Sequence, residues 1–174
     1  MKTRGYSLPE MLVAMGIMSG MASVVFATLR VGYDFLDAAE AHMAVSQELS
    51  RSIDAMSREL AASQTSTLSV PIQDAWSSSV TFQVPQDMNG DISVLDALGN
   101  TEWSNPVTYS LGGNGTQIQR AQATTRRVVA NGVTALQFRR QTSNPTILEM
   151  TVTVQRGNKF HRQATLATRV RLRN

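Results

Sequence analysis

Between Met11 and Leu29 the chain runs nineteen residues without a formal charge, and no other segment constrains the fold as strongly. A helix needs about 20 apolar residues to cross roughly 30 Å of hydrocarbon, so this run can span a bilayer. Lys2 and Arg4 precede it and Asp34, Asp37 and Glu40 follow it. The positive-inside bias therefore keeps the first residues cytoplasmic and sends the bulk of the chain across the membrane. A secretory signal peptide would carry a shorter apolar core, about 7–15 residues, with a small-residue cleavage site after it. A plain signal anchor fits the same run. What sets this chain apart lies just ahead of the apolar block, where Glu10 adjoins it.

A carboxylate at the edge of a spanning helix needs a partner or an escape to the interface, and snorkelling to the headgroups is the simplest escape. A more specific reading comes from Arg4-Gly5-Tyr6-Ser7-Leu8-Pro9-Glu10 followed directly by the apolar run. This stretch resembles the type IV prepilin signature. The resemblance implies cleavage after Gly5 by a prepilin peptidase, methylation of Tyr6 as the new first residue, and a role for Glu10 in assembly. A filament core would strip water and headgroups from the carboxylate, for which a neighbouring α-ammonium is a natural partner. Loss of residues 1–5 would leave 14 basic and 13 acidic residues, a net of +1. Gly16 and Gly20 form a small-xxx-small pair that lets another helix approach closely, although glycine and serine are also common in membrane helices generally.

Beyond Leu29 the pattern stays helical. Phe35, Ala38, His42, Val45, Leu49, Ile53, Met56 and Leu60 recur at spacings of three and four, with polar residues between them. One continuous helix from Met11 to Ala62 would be about 78 Å long, so only its second half can be covered by a head. His42, on that stripe, reads as a histidine at the edge of the core. The expected organisation is a leader at 1–5, a transmembrane and assembly helix at 6–29, its amphipathic continuation at 30–62, and an extracytoplasmic β-rich head at 63–174.

Strand patterns follow from Thr67 to Val70, Ser79 to Val84, Val107 to Leu111, Thr116 to Arg120, Val133 to Arg139, Ile147 to Gln155 and Arg162 to Leu172. Gly112-Gly113-Asn114-Gly115 and Arg156-Gly157-Asn158-Lys159 read as hairpin turns. An antiparallel sheet is expected, with Leu148, Met150, Val152 and Val154 alternating inward, and Ala164, Leu166, Val170 and Leu172 doing the same on the last strand. The fold class is α+β. The Val-Thr-Tyr strand, the glycine turn, the Val-Ala-Asn-Gly-Val stretch and the terminal Arg-Leu-Arg-Asn are similar to minor pilins of the PilW kind and to J-type minor pseudopilins of type II secretion. That resemblance implies a subunit of the bacterial inner membrane, single-pass with a cytoplasmic amino terminus and a periplasmic head, which primes or caps a filament. Its partners would be other minor pilins or pseudopilins and the major pilin.

Charge is divided along the chain. From Arg30 to Leu111 three basic residues face eleven acidic ones, a net of −8; from Gly112 onward eleven face one, a net of +10. Such a division suits electrostatic docking between subunits, with Arg169, Arg171 and Arg173 as candidate contacts, and equally a solvated basic face. A DNA-binding minor pilin of an uptake apparatus is the alternative function. Aromatic residues to stack on bases are sparse there, only Phe138 and Phe160 after Tyr109, so DNA is not the expected partner. Asp87, Asn89 and Asp91 supply loop oxygens of the kind calcium takes, yet Ile92 and Leu98 break the EF-hand pattern, and such turns form without metal. Beyond that calcium, no cofactor is expected. The chain has no cysteine, two histidines without ligand spacing and no phosphate loop or nucleophile elbow, so it is not expected to be an enzyme.

Overall fold

The computed structural model describes residues 7–72, 74–156 and 162–173. Two compact units divide the chain, Met1–Glu40 and Ala41–Asn174. The leader and the processing positions Gly5 and Tyr6 lie outside the described residues, as do Gly157, Asn158 and Lys159 of the second expected turn.

One helix, α1, runs Leu8–Ala62. Pro9 falls in its first turn, where a missing N–H leaves no helical bond unmade. Residues 7–33 are all exposed. Burial begins at Val45 and continues through Leu49, Ser52, Ile53, Met56 and Leu60, the stripe that 3.6-residue periodicity demands. His42 is exposed rather than at the core's edge, because the stripe meets the head only from Val45 onward. At the carboxyl end the Ser63 hydroxyl and amide both donate to the Leu60 carbonyl, at 2.7 and 3.0 Å.

The head holds two antiparallel sheets, not one. The first contains β1 (Ser79–Phe82), β2 (Val107–Gly112), β3 (Gln117–Gln122) and β4 (Thr125–Asn131) in that order. The second contains β5 (Val133–Arg140), β6 (Ile147–Arg156) and β7 (Arg162–Arg171), also in sequence order. Gly132 alone joins β4 to β5 and so carries the chain from one sheet to the other. Its φ of +71° and the 2.8 Å that would separate an added Cβ from the Gln155 carbonyl oxygen both require glycine there. Val80, Phe82, Val107, Tyr109 and Ile118 from the first sheet share one core with Leu136, Phe138, Leu148, Met150, Val152 and Val154 from the second and with the buried half of α1. Phe82 and Tyr109 stack at 6.0 Å.

Two strand expectations need correction. The segment from Thr67 to Val70 is no strand: Thr65–Thr67 form a 3-10 turn and Val70 makes one bridge, to Thr81. The Thr67 hydroxyl donates to the Gln64 carbonyl at 2.9 Å, the kind of local side-chain bond that competes with a ladder. β4 went unforeseen. Its hairpin turns on Ala123 and Thr124, with Ala123 at φ +49°, where two-residue turns ordinarily announce themselves by Asn-Gly or Asp-Gly. Its first four residues, Thr125 to Val128, are all exposed, so no inward alternation marked it either.

The architecture is thus α+β and pilin-like: a long amino-terminal helix, apolar in its first half, whose second half packs on antiparallel sheet.

Candidate functional site

The start of α1 is built by a cap. Ser7-Leu8-Pro9-Glu10 has the Ser-x-x-Glu spacing of a capping box, and the Glu10 carboxylate accepts from the Ser7 amide at 2.9 Å and from its hydroxyl at 3.0 Å. Glu10 is therefore bent back toward the chain start, and its negative charge sits at the positive end of the helix dipole. This local use of Glu10 was readable from the spacing.

Downstream the helix meets the needs of an apolar surrounding. The hydroxyls of Ser19, Ser23 and Thr28 donate to the carbonyls of Gly16, Ser19 and Val24 at 2.9, 2.8 and 2.6 Å, so the polar groups of the apolar run close on their own helix. Within α1 lies a stretch long and apolar enough to cross a membrane, none of it buried against the chain. At Gly16 and Gly20 an added Cβ would meet nothing within 4 Å. Among the described residues, nothing packed there calls for glycine.

Unforeseen charged contacts fix the amphipathic half of α1 to the sheets. Glu59 takes the Arg120 Nε on both carboxylate oxygens, at 3.1 and 2.9 Å, and Arg120 also donates to the side chain of Gln122. Glu48 accepts from the Asn131 amide at 2.6 Å and pairs with Arg156 at 3.6 Å. Glu48 and Glu59 are eleven residues apart, close to three full turns, so both flank the buried stripe on one side of α1. That spacing was the available signal. Burial and the nearby Glu59 carboxylate push the Tyr109 phenol well above its ordinary range. By contrast, the exposed Asp54–Arg58 pair at 3.8 Å contributes at most about 0.5 kcal/mol.

Part of the acidic and basic division is thus satisfied within the chain. Arg169, expected as a docking contact, donates through Nε to Glu149 at 3.0 Å across the β6–β7 ladder. Arg139 pairs with the same carboxylate at 3.2 Å, and the guanidinium of Arg139 lies 5.1 Å from the centre of the Trp76 ring. Arg171 and Arg173 are exposed. Beside this cluster Trp76, Glu149, Thr151, Ala167 and Arg169 line a groove of about 490 Å³.

The calcium candidates do come together, in the loop between β1 and β2. Asp87 accepts from the amides of Gly90, Ile92 and Asn89 at 2.6, 2.8 and 3.1 Å, Asn89 donates to Asp91 and Glu102 at 3.1 and 2.8 Å, and Glu102 accepts from the Met88 amide at 2.7 Å. Their oxygens thus accept hydrogen bonds from the loop itself, and among the described residues no group of three or more His, Cys, Asp or Glu side chains is arranged to hold a metal. The Gly90 amide leads the bonds that hold the Asp87 carboxyl below its usual range, and the Asn100 amide does the same for Asp96. A carboxylate with a lowered folded value adds stability above its unfolded value near 3.9, and that stability is lost as pH falls through the lower folded value. The amides of Gly90, Ile92 and Asn100 are accordingly expected to lose hydrogen-exchange protection on acidification below about pH 4 while β6 keeps its own; equal loss in both would show that the loop is not held this way.

Compared with known proteins, the chain matches no family model, no curated protein and no solved structure.

Proposed function

We propose that this chain is a minor pilin or minor pseudopilin, a structural subunit that primes or caps assembly of a type IV pilus or a type II secretion pseudopilus. The carrying observation is the division of α1: the run from Met11 to Leu29 is exposed along its whole length and self-satisfied in its hydroxyls, while the same helix is a core element from Val45 onward. A soluble protein has no use for a fully exposed apolar run of that length. A lipid bilayer first, and the helices of neighbouring subunits afterwards, would cover it. The prepilin-like stretch around Gly5 and Glu10 supports the same reading, with a prepilin peptidase removing residues 1–5 and methylating Tyr6.

In this mechanism the chain catalyses nothing. α1 supplies the packing rod, Gly16 and Gly20 admit close approach of neighbouring helices, Glu10 guides docking into the assembly, and the head selects partners. The system served, whether pilus or secretion, follows from those partners and not from the helix. Mass spectrometry of the membrane form tests the proposal: a chain beginning at methylated Tyr6 is expected, and an intact Met1 would contradict it.

A further inference from the structure

We propose that Asn114 is a site of spontaneous covalent modification, at which the side-chain amide is lost as ammonia and the residue ends as aspartate or isoaspartate. This goes beyond the assembly role of α1, because it concerns the head alone and needs no filament.

Three asparagines are followed directly by glycine, in Asn89-Gly90, Asn114-Gly115 and Asn131-Gly132. Glycine carries no Cβ to keep its amide nitrogen away from the preceding side chain. In the reaction that amide gives its proton to hydroxide, its nitrogen bonds to the asparagine Cγ, and the Cγ–Nδ2 bond breaks. The leaving nitrogen takes a proton from water and departs as ammonia. Water then opens the succinimide ring at either carbonyl, which yields aspartate or isoaspartate. Two conditions govern the rate: the side chain has to swing over the next amide, and that amide has to lose its proton. The fold separates the three pairs on both.

Asn89 is held. Its Nδ2 donates to Asp91 and Glu102 at 3.1 and 2.8 Å, and its Oδ1 accepts from the Asp91 amide at 2.9 Å. The Gly90 amide donates to the Asp87 carboxylate at 2.6 Å, and that negative charge opposes loss of the proton. Asn131 is held as well. It pairs with Gln117 in the ladder, its Oδ1 accepts from the Gln117 side chain at 2.9 Å, and its own amide donates to Glu48 at 2.6 Å. The backbone of Gly132 beyond it lies so close to the Gln155 carbonyl oxygen that an added Cβ would stand 2.8 Å away, which leaves little room to turn.

Asn114 differs from both. It lies exposed in the turn between β2 and β3, and among the described residues its side chain makes no hydrogen bond. Glycines flank it, Gly113 at φ +59° and Gly115 at φ +81°, and the space beside Gly115 is open to 4 Å. The Gly115 amide donates to the neutral carbonyl of Gly112 at 3.1 Å, with no carboxylate upon it. Asn114 itself is at φ +60°, a conformation that asparagine tolerates. Rotating it toward ring closure therefore costs the turn one backbone bond and no side-chain bond.

The test incubates the full chain in detergent micelles in warm, mildly alkaline buffer and compares the three asparagine-glycine peptides by mass spectrometry after digestion. Conversion at Asn114 is expected to exceed that at Asn89 by at least about tenfold, because two or more side-chain bonds have to break first at Asn89. It is expected to exceed conversion at Asn131 severalfold. Both aspartate and isoaspartate are expected at Asn114; aspartate alone would mean direct hydrolysis and would overturn the ring-closure step. In urea, where the fold's bonds are gone, the three pairs should convert at similar rates. Asp87→Asn is expected to speed conversion at Asn89 and leave Asn114 unchanged, and no change at Asn89 would overturn the part given to Asp87. Equal conversion of the three in the folded chain, or either of the others ahead of Asn114, overturns the proposal. So does an order in urea identical to that in the folded chain, which would trace the preference to neighbouring residues and not to the fold.

Discussion

Replacing Glu10 by alanine is expected to leave membrane insertion intact and to lower incorporation into assemblies by at least about tenfold. If the proposed assembly role holds, the substitution would leave an α-ammonium without its partner in a filament core where neither water nor headgroups could replace it. Glu10 also caps α1 through Ser7, so the alanine chain loses two things at once. Glu10→Gln separates them, because glutamine can still accept from the Ser7 amide while carrying no charge. Co-purification of the variant with its assembly, normalised to its membrane level, gives the answer. Loss with both substitutions supports charge pairing; incorporation of the glutamine chain at the level of the unaltered one would leave only the cap, and normal incorporation of both would defeat the assembly role.

Phe138→Ala is the second large effect expected. Phe138 is fully buried on β5, pairs with Met150, and exchanges both backbone hydrogen bonds with Ser77, at 2.8 and 2.9 Å. Removing the ring should cost about 3–5 kcal/mol through lost burial and the cavity left behind. Domains of ordinary stability have only about 5–15 kcal/mol in all, so the urea midpoint should fall by on the order of 2 M. The matched control is Leu166→Ala, at a partly exposed position on the same sheet, for which a loss of about 1 kcal/mol or less is expected. Comparable shifts for the two would mean that the sheets do not enclose one core as described.

Helix α1 was legible because two periodicities say the same thing in different solvents. An uncharged run of nineteen residues marks a segment whose surroundings are apolar on every side, and the three-and-four spacing from Val45 to Leu60 marks one that is apolar on a single side. Six of the seven strands were also legible in outline, since inward alternation such as Leu148, Met150, Val152 and Val154 needs no knowledge of the partner strand. β4 failed that test. Its exposed arginines carry no alternation, and only its pairing with β3 makes it a strand.

The site residues divide the same way. Gly5, Tyr6 and Glu10 were singled out by a short contiguous pattern, and the Ser7–Glu10 cap follows from a spacing of three. The contacts that join helix to head were not legible: Glu59 and Arg120 lie 61 residues apart, and Asn131 and Glu48 lie 83 apart. Nothing local marks an acid on an amphipathic helix as destined for one arginine among fourteen.

What the amino-acid order settled by itself was the nature of each segment: an apolar helix start, an amphipathic continuation, alternating strands, and a charge that changes sign along the chain. Only the tertiary structure decided that Gly132 splits the strands into two sheets, that Glu149 takes up Arg169, and that among the described residues β7 ends its sheet. The physical reason is range. Periodicity and caps act over one or two turns, whereas strand pairing, ion pairs and exposed edges depend on which distant segments the shared core draws together.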